Sequence, residues 1–213
     1  MNENTLQDIL KFLNMHHRFF FTAKKYADKT AQPTPEDSRA WSQILISLLT
    51  GVKGLGRQKG PDFFDGSDVK AANTWGAIDT PRFNGCIKSG TLSSVSDSMD
   101  SLDQMPHLYF VLWDNEPETK KERTRIWAVN TQTDPLFREV CKLWYQKRKN
   151  GEITSNNFQL HPPRNRNSNI FTNTCGNLSY PLVMDARWNG KTYEIVCFDE
   201  EAIENGQCKE IDE

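Results

Sequence analysis

Three side chains that could bind a metal ion and assist hydrolysis are grouped in the stretch GPDFFDGSDVK, residues 60–70. Asp62 and Asp68 would supply carboxylate oxygens, and Lys70 would supply an ammonium group. Two carboxylates a few ångströms apart repel each other, but a divalent cation between them reverses the sign of that interaction. Mg²⁺ prefers oxygen ligands, and a bound metal lowers the pKa of its water. The stretch therefore suits hydrolysis of a phosphodiester, with the carbonyl of Val69 as a further ligand and Lys70 beside the attacking water.

A β-hairpin would bring these side chains together, and its register decides which of them share a face. Directly opposed residues of a hairpin share a face, and successive residues alternate. If Asp65-Gly66 were a two-residue turn, Asp62 would point away from Asp68 and Lys70. A three-residue loop, 65–67, places Asp62 opposite Lys70 and all three charged groups on one face. We favour the three-residue loop because it leaves the apolar side chains together on the other face: Phe63, Val69 and Ala71.

The alternative is an ordinary surface hairpin, since an Asp-x-Lys triplet is common by chance and usually solvated. Three features favour a functional site. Pro61-Asp62 precedes the triplet, the charged and apolar side chains separate onto two faces, and a segment rich in Asn, Thr and Trp follows.

The order Pro61-Asp62 followed by Asp68-Val69-Lys70 resembles the active-site signature of the PD-(D/E)XK nuclease superfamily. The short gap between the two aspartates is most similar to type II restriction endonucleases related to the mismatch-repair nicking enzyme MutH. In that branch a glycine-rich segment, here GVKGLGRQKG, also precedes the first aspartate. The resemblance implies Mg²⁺-dependent cleavage of DNA, with Mn²⁺ as a substitute. It also implies a mixed α/β (α+β) fold, with a central mixed β-sheet flanked by helices.

The sequence departs from the MutH pattern at two points. Asp68 stands where that branch usually has glutamate, and the gap is one residue shorter. An acidic residue on the upstream helix often assists in the superfamily, but residues 39–50 contain none. Glu36 and Asp37 lie near the start of that helix, and Gln43 faces the same way.

The pattern of apolar residues and turn signals divides residues 1–213, as one nuclease domain, into four parts. They are N-terminal helices at 5–50, a catalytic hairpin and sheet at 58–131, a basic helix at 134–150, and a recognition loop with C-terminal strands at 155–200. Within the sheet, HLYFVLW (107–113) predicts a strand buried on both faces, with RIWAVN (125–130) as its partner. Asn189-Gly190 predicts a further hairpin.

Three groups of residues could contact double-stranded DNA. The loop HPPRNRNSN (161–169) has no acidic residue, and arginine and asparagine pair with guanine and adenine edges. Lysines at the end of the basic helix could contact phosphates, although they also complement the helix dipole. The candidates are Asn73, Arg82 and Asn84 after the triplet, Lys147 and Lys149 on the helix, and Arg164, Asn165, Arg166 and Asn167 in the loop. Each segment could equally be an inert polar surface.

Composition limits the classes of protein to which this chain could belong. The net charge is −2, so no global basic field indicates a nucleic-acid partner. The five cysteines include no C-x-x-C pair, and the N-terminus has no cationic segment before an apolar run. We therefore expect no disulfide framework, zinc knuckle, signal peptide or membrane span, and a cytoplasmic location.

A restriction enzyme that cuts both strands of a palindrome is expected to be a homodimer. It would also need a separate DNA methyltransferase for protection. Two alternatives remain open on the sequence alone. One is a repair nickase or junction resolvase of the same superfamily, and the other is a DNA-binding module without catalytic activity.

Overall fold

The computed structural model describes residues 3–32, 34, 38–56, 60–75, 80–88, 99–163 and 167–207. The helices are α1 (Glu3–Thr30), α2 (Ser38–Thr50), α3 (Asp100–Asp103), α4 (Pro135–Lys149) and α5 (Glu201–Glu204). The strands are β1 (Asp68–Asn73), β2 (Phe83–Lys88), β3 (His107–Asn115), β4 (Glu122–Asn130), β5 (Asn157–Leu160), β6 (Ile170–Phe171), β7 (Leu178–Ser179), β8 (Met184–Trp188) and β9 (Tyr193–Phe198).

Five strands form the central sheet, in the order β1-β3-β4-β8-β9. β1 runs parallel to β3, and the other neighbours are antiparallel, so the sheet is mixed. The predicted fold class, a mixed sheet with flanking helices, is therefore confirmed. β3 and β4 pair over their whole lengths, as their apolar sequences predicted. The Asn189-Gly190 hairpin is also confirmed, with Trp188 paired to Tyr193.

Alternate side chains of β3 enter two different hydrophobic cores, because successive residues of a strand point to opposite faces. Tyr109, Val111 and Trp113 pack with α1 and α2. Leu108, Phe110 and Leu112 pack with α3, α4 and a two-stranded ribbon formed by β2 and β5. The sheet is thus covered on both sides, which explains the continuous apolar run in β3.

The basic helix α4 begins and ends as its sequence predicted. The Asp134 carboxylate caps the helix by accepting a hydrogen bond from the N–H of Phe137 at 2.9 Å. Pro135 occupies the first turn, where its missing N–H costs no hydrogen bond. Gly151 follows the last turn with a positive φ of 78°, as expected for a helix-terminating glycine.

The predicted catalytic hairpin is wrong. Residues 61–64 form no strand, and β1 pairs instead with β3 in parallel, with Asp68 beside Leu108. Residues 62–67 form a compact loop, in which Asp62 and Phe63 each donate a backbone hydrogen bond to the carbonyl of Ser67, at 3.1 and 3.2 Å. The prediction that Phe63 and Val69 enter the core is confirmed, because both are buried in the hydrophobic core formed with α1 and α2.

No helix in the described ranges is both long and apolar enough to cross a membrane.

Gly66 fixes the position of this loop against the chain that enters β3. Its φ is +93°, and a Cβ atom at this position would lie 2.8 Å from the carbonyl oxygen of Gln104. A side chain would therefore meet both an unfavourable backbone conformation and a backbone atom that cannot easily move.

We expect Gly66→Ala to lower the free energy of unfolding by about 2–4 kcal/mol, from positive-φ strain together with overpacking. Gly190→Ala is the matched control, because Gly190 also has a positive φ but no atom within 4 Å of the point that an added Cβ would occupy. Gly190→Ala should lower the free energy of unfolding by the backbone strain alone, about 1–2 kcal/mol. Urea denaturation of both variants measures the difference, and equal losses would show that the contact with Gln104 is unimportant.

Candidate active site

The loop before β1 delivers Asp62 and Asp68 to the same place. Asp65 holds the end of the loop, because its carboxylate accepts hydrogen bonds from the N–H and the hydroxyl of Ser67, both at 2.9 Å. One Asp62 oxygen accepts from the N–H of Val69 at 3.0 Å. The same N–H also donates to Asp68 Oδ1 at 2.9 Å, so the two carboxylates lie side by side around one donor.

Gln43 of α2 holds the other oxygen of Asp62. Its side-chain Nε2 donates to Asp62 Oδ1 at 2.6 Å, across the loop that leaves α2. The sequence indicated that Gln43 faces the site, and the structure confirms this contact. Glu36, the other upstream candidate, lies outside the described residues.

Lys70 completes the cluster from the same strand as Asp68. Residues two apart on a strand point to the same face, and Lys70 Nζ forms an ion pair with Asp68 Oδ2. Both side chains are largely buried, at 15% and 18% exposure. They lie on the ribbon side of the sheet, where Cys86 of β2 is close enough to interact electrostatically with both. Burial raises the pKa of the Cys86 thiol to about 12, so that the thiol is neutral.

The two carboxylates have opposite pKa shifts. Burial, with the hydrogen bond and the charge of Asp68, raises the pKa of Asp62 to about 6. Burial alone would also raise the pKa of Asp68, but its hydrogen bond with Asp62 and the ammonium of Lys70 outweigh burial and lower it. Below about pH 6, the pair therefore holds one proton, carried by Asp62 and donated to Asp68.

The donor set fits a hard divalent cation. Two adjacent carboxylates share one ammonium, so the cluster lacks positive charge once Asp62 ionises. The described residues contain no group of three or more His, Cys, Asp and Glu side chains placed for a metal. Further oxygens would have to come from the backbone, the Gln43 amide, water or a bound phosphate, as Mg²⁺ sites commonly use.

The predicted DNA-contacting residues have different surroundings. Arg164, Asn165 and Arg166 lie outside the described residues. The Oδ1 of Asn167 accepts a hydrogen bond from Arg123 at 2.8 Å, and the Oδ1 of Asn73 accepts from the N–H of Trp75 at 2.7 Å. Both amide oxygens are therefore already engaged within the protein, and a role of these two residues in binding DNA stays a prediction.

The remaining candidates lie at the surface. Arg82 and Asn84 are exposed, on and just before β2, and Lys149 is exposed at the end of α4. Lys147 is half-buried and borders a groove beside β5.

Sequence reasoning missed a buried ionic cluster at the other end of the same sheet face. Arg123 binds Asp114 through two hydrogen bonds, at 2.7 and 2.9 Å, and Arg125 binds it at 2.9 Å. Arg125 also donates to the carbonyls of Pro163 and Ser168. The cluster thus anchors both flanks of the candidate recognition loop to β4. Alternating charge in the β4 sequence carries no signal of this distant contact.

The comparisons with known proteins identify relatives. The family model described as MamI restriction endonuclease matches residues 25–196. The type II restriction enzyme MamI of Microbacterium ammoniaphilum is 29% identical over 199 residues, a match that covers 85% of this chain. The chain spans 61% of the length of that relative. No solved structure matches the chain.

The raised pKa of Asp62 predicts that the free energy of unfolding of the metal-free protein depends on pH. Between the ordinary aspartate pKa and about 6, the folded state holds a proton that the unfolded state has lost, so stability falls as pH rises through that window. Asp62→Asn removes this dependence. We expect the melting temperatures of the two proteins in EDTA to be similar near pH 4, and the variant to be more stable near pH 7.5. Because Asp62 is only partly buried, solvent screens the repulsion, and the gain should be about 2–4 °C.

The pKa of Asp68 is lowered from its ordinary value by Asp62 and by the ammonium of Lys70, so Asp68 is already ionised across this window in the wild-type protein. A constant difference between the two proteins at both pH values would contradict the shared proton.

Proposed function

Because this chain belongs to the MamI restriction endonuclease family, we propose that it is a type II restriction endonuclease that cleaves double-stranded DNA at a specific sequence. The observation that carries the proposal is that Asp62 and Asp68 both accept a hydrogen bond from the N–H of Val69, while Lys70 pairs with the second carboxylate. These residues stand in the order of the PD-(D/E)XK signature. The proposed reaction is hydrolysis of a phosphodiester bond by metal-assisted attack of water.

Asp62 and Asp68 are the proposed ligands of Mg²⁺, with the carbonyl of Val69. β1 is an edge strand of the central sheet, so alternate backbone carbonyls are not used in pairing with β3. A bound divalent cation would lower the pKa of a water and neutralise charge on the phosphate. Mn²⁺, which accepts the same oxygen ligands, should replace Mg²⁺.

The other residues of the site orient these ligands. Asp62 must give up the shared proton before both carboxylates can bind a cation, and the amide of Gln43 stabilises the resulting anion by donating to Oδ1. Lys70, held beside Asp68, places a positive charge next to the position of the attacking water and the scissile phosphate. Its compact ammonium can stabilise negative charge that develops in the transition state.

The proposed partner is duplex DNA, and two copies of the chain would cut the two strands of a palindromic site. Arg82, Asn84, Lys149 and the segment 164–167 remain proposed DNA contacts. A separate methyltransferase would protect the host DNA.

Incubating the purified protein with phage DNA tests the proposal. We expect discrete fragments with Mg²⁺ or Mn²⁺ and intact DNA in EDTA. Nicking confined to mismatched or branched DNA would indicate a repair nickase or a resolvase instead. Binding without cleavage under all metal conditions would indicate an inactive DNA-binding module.

Substitutions in the cluster should separate cleavage from binding. Asp68→Asn should abolish cleavage and leave DNA binding intact, because the carboxylate holds metal rather than DNA. Lys70→Arg should lose at least about two orders of magnitude in rate, since a planar guanidinium cannot replace a compact ammonium. Asp8→Asn is the control, because it removes a negative charge from an exposed side chain of α1 outside the cluster. Full activity of Lys70→Arg would show that Lys70 serves only as an ion-pair partner of Asp68.

Gln43→Ala should weaken metal binding without abolishing the reaction. The variant keeps both carboxylates but loses the donor that orients Asp62. We expect the half-saturating Mg²⁺ concentration to rise about 10- to 100-fold, the usual effect of removing a group that orients a metal ligand. The maximal rate at high Mg²⁺ should fall much less. An unchanged Mg²⁺ requirement would leave Gln43 without a role in the site.

A further inference from the structure

β5 presents a row of polar side chains on the outer face of the two-stranded ribbon. Phe158 and Leu160 are fully buried against the sheet. Asn157 and Gln159 alternate with them and therefore point outward, and His161 continues the row beyond the end of the strand. Successive members of this row are about 6.6 Å apart, close to twice the rise between stacked base pairs.

β2 adds a second amide to the same face. β2 and β5 are antiparallel, and Asn84 lies directly opposite Gln159. Directly opposed residues share a face, so Asn84 and Gln159 stand side by side on the outside of the ribbon. The next pair, Phe83 and Leu160, is buried on the inside.

A groove of about 450 Å³ runs along this row, between β5, the end of α4 and residues 173–174. Lys147 lines it together with Asn157, Gln159 and His161. Among the described residues that line it, the one acid is Glu152, which accepts a hydrogen bond from Asn150 at 3.3 Å. The groove therefore combines amide donors and acceptors with a lysine.

The walls of the groove are fixed by hydrogen bonds. Asn173 Nδ2 donates to the carbonyl of Gln159 at 2.5 Å, which attaches one wall to β5. Arg148 donates to the carbonyls of Ile153 and Thr154, at 3.1 and 2.8 Å, which attaches the other wall to α4. The outer row thus stands on a rigid support, as specific recognition requires.

The amide side chains on this face are free to bind a ligand, unlike the other candidate amides. Within the ranges that the structure describes, the side chains of Asn84, Asn157 and Gln159 have no hydrogen-bond partner. The oxygens of Asn73 and Asn167, in contrast, are occupied. Free, well-supported amides can pair with base edges.

We propose that the outer face of the β2–β5 ribbon enters the DNA major groove and reads base edges through Gln159, Asn157 and Asn84. The inference rests on the proposed function and adds a specificity surface to it. Asn and Gln pair bidentately with adenine, and a two-stranded ribbon fits the width of the major groove. Lys147, at the side of the ribbon, contacts a phosphate. The inner face of the ribbon packs near Lys70 through Cys86, so base reading and cleavage are rigidly joined through β2.

The test is the cleavage specificity of three alanine variants, at Gln159, Asn157 and Lys147. Phage DNA is digested with Mg²⁺, and the fragment ends are sequenced to define the site for each protein. Affinity is then measured with Ca²⁺ on duplexes that carry single base-pair changes. Gln146→Ala is the matched control, because Gln146 is an exposed amide of α4 outside the lining of the groove.

Gln159→Ala and Asn157→Ala should each relax discrimination at one base pair and weaken binding of the preferred duplex by roughly 5- to 150-fold. Lys147→Ala should weaken binding evenly across the duplexes and reduce the salt dependence by about one unit. The control should match the wild-type protein. Gln159→Glu, which keeps the length of the side chain but loses its donor, should also shift the base preference.

Active Gln159→Ala and Asn157→Ala variants with wild-type specificity would overturn the ribbon inference and leave the proposed function standing. Wild-type protein that cuts no duplex DNA would overturn the proposed function, and the inference with it.

Discussion

The contact between the Asp62 and Asp68 carboxylates is the constraint around which this end of the molecule is built. Two like charges in hydrogen-bond contact are unfavourable in a partly buried position, unless a proton or a cation lies between them. The surrounding chain holds them there by fixed bonds. The N–H of Val69 binds Asp62, Lys70 neutralises Asp68, and Ser67 closes the loop between them. Two carboxylates held this close on a fixed support are well suited to binding a cation.

At the opposite end of the same sheet face, the buried charges are of opposite sign and pair with each other. Asp114 and the two arginines that bind it are all almost fully buried. Removing one partner from such a cluster would leave an uncompensated buried charge, which is strongly destabilising. Arg125 and Arg123 also hold the chain on both sides of residues 164–166, through Pro163 and Asn167. The chain on both sides of residues 164–166 is thus tied to the same sheet that carries the proposed catalytic cluster, at its far end.

The sequence predicted which residues of the candidate site lie together better than it predicted how the chain places them. Asp62, Asp68 and Lys70 are close together, but a loop and a parallel strand pair place them, not a hairpin. The Asp65-Gly66 signal was real, since Gly66 does adopt a positive φ. The error arose because parallel pairing of β1 with β3, about 40 residues away, leaves no local turn signal. β5 was also missed, since four residues between two polar loops give too short an alternation to recognise. The amide of Asn167 could not be assigned, because its partner Arg123 is 44 residues away.

Gln43 takes the place of a third acid on α2 beside the proposed metal-binding pair. An acidic side chain in its place would add a third negative charge beside a pair that already shares a proton, and would raise the pKa of Asp62 further. A neutral amide has the opposite effect, because its N–H donor favours the ionised form of Asp62. Its amide can also rotate to offer an oxygen to a cation, so the same residue can serve both states of the site. The absence of an acid in residues 39–50 is therefore compatible with a metal site built on two carboxylates, in which the glutamine lowers the electrostatic cost of the metal-free state.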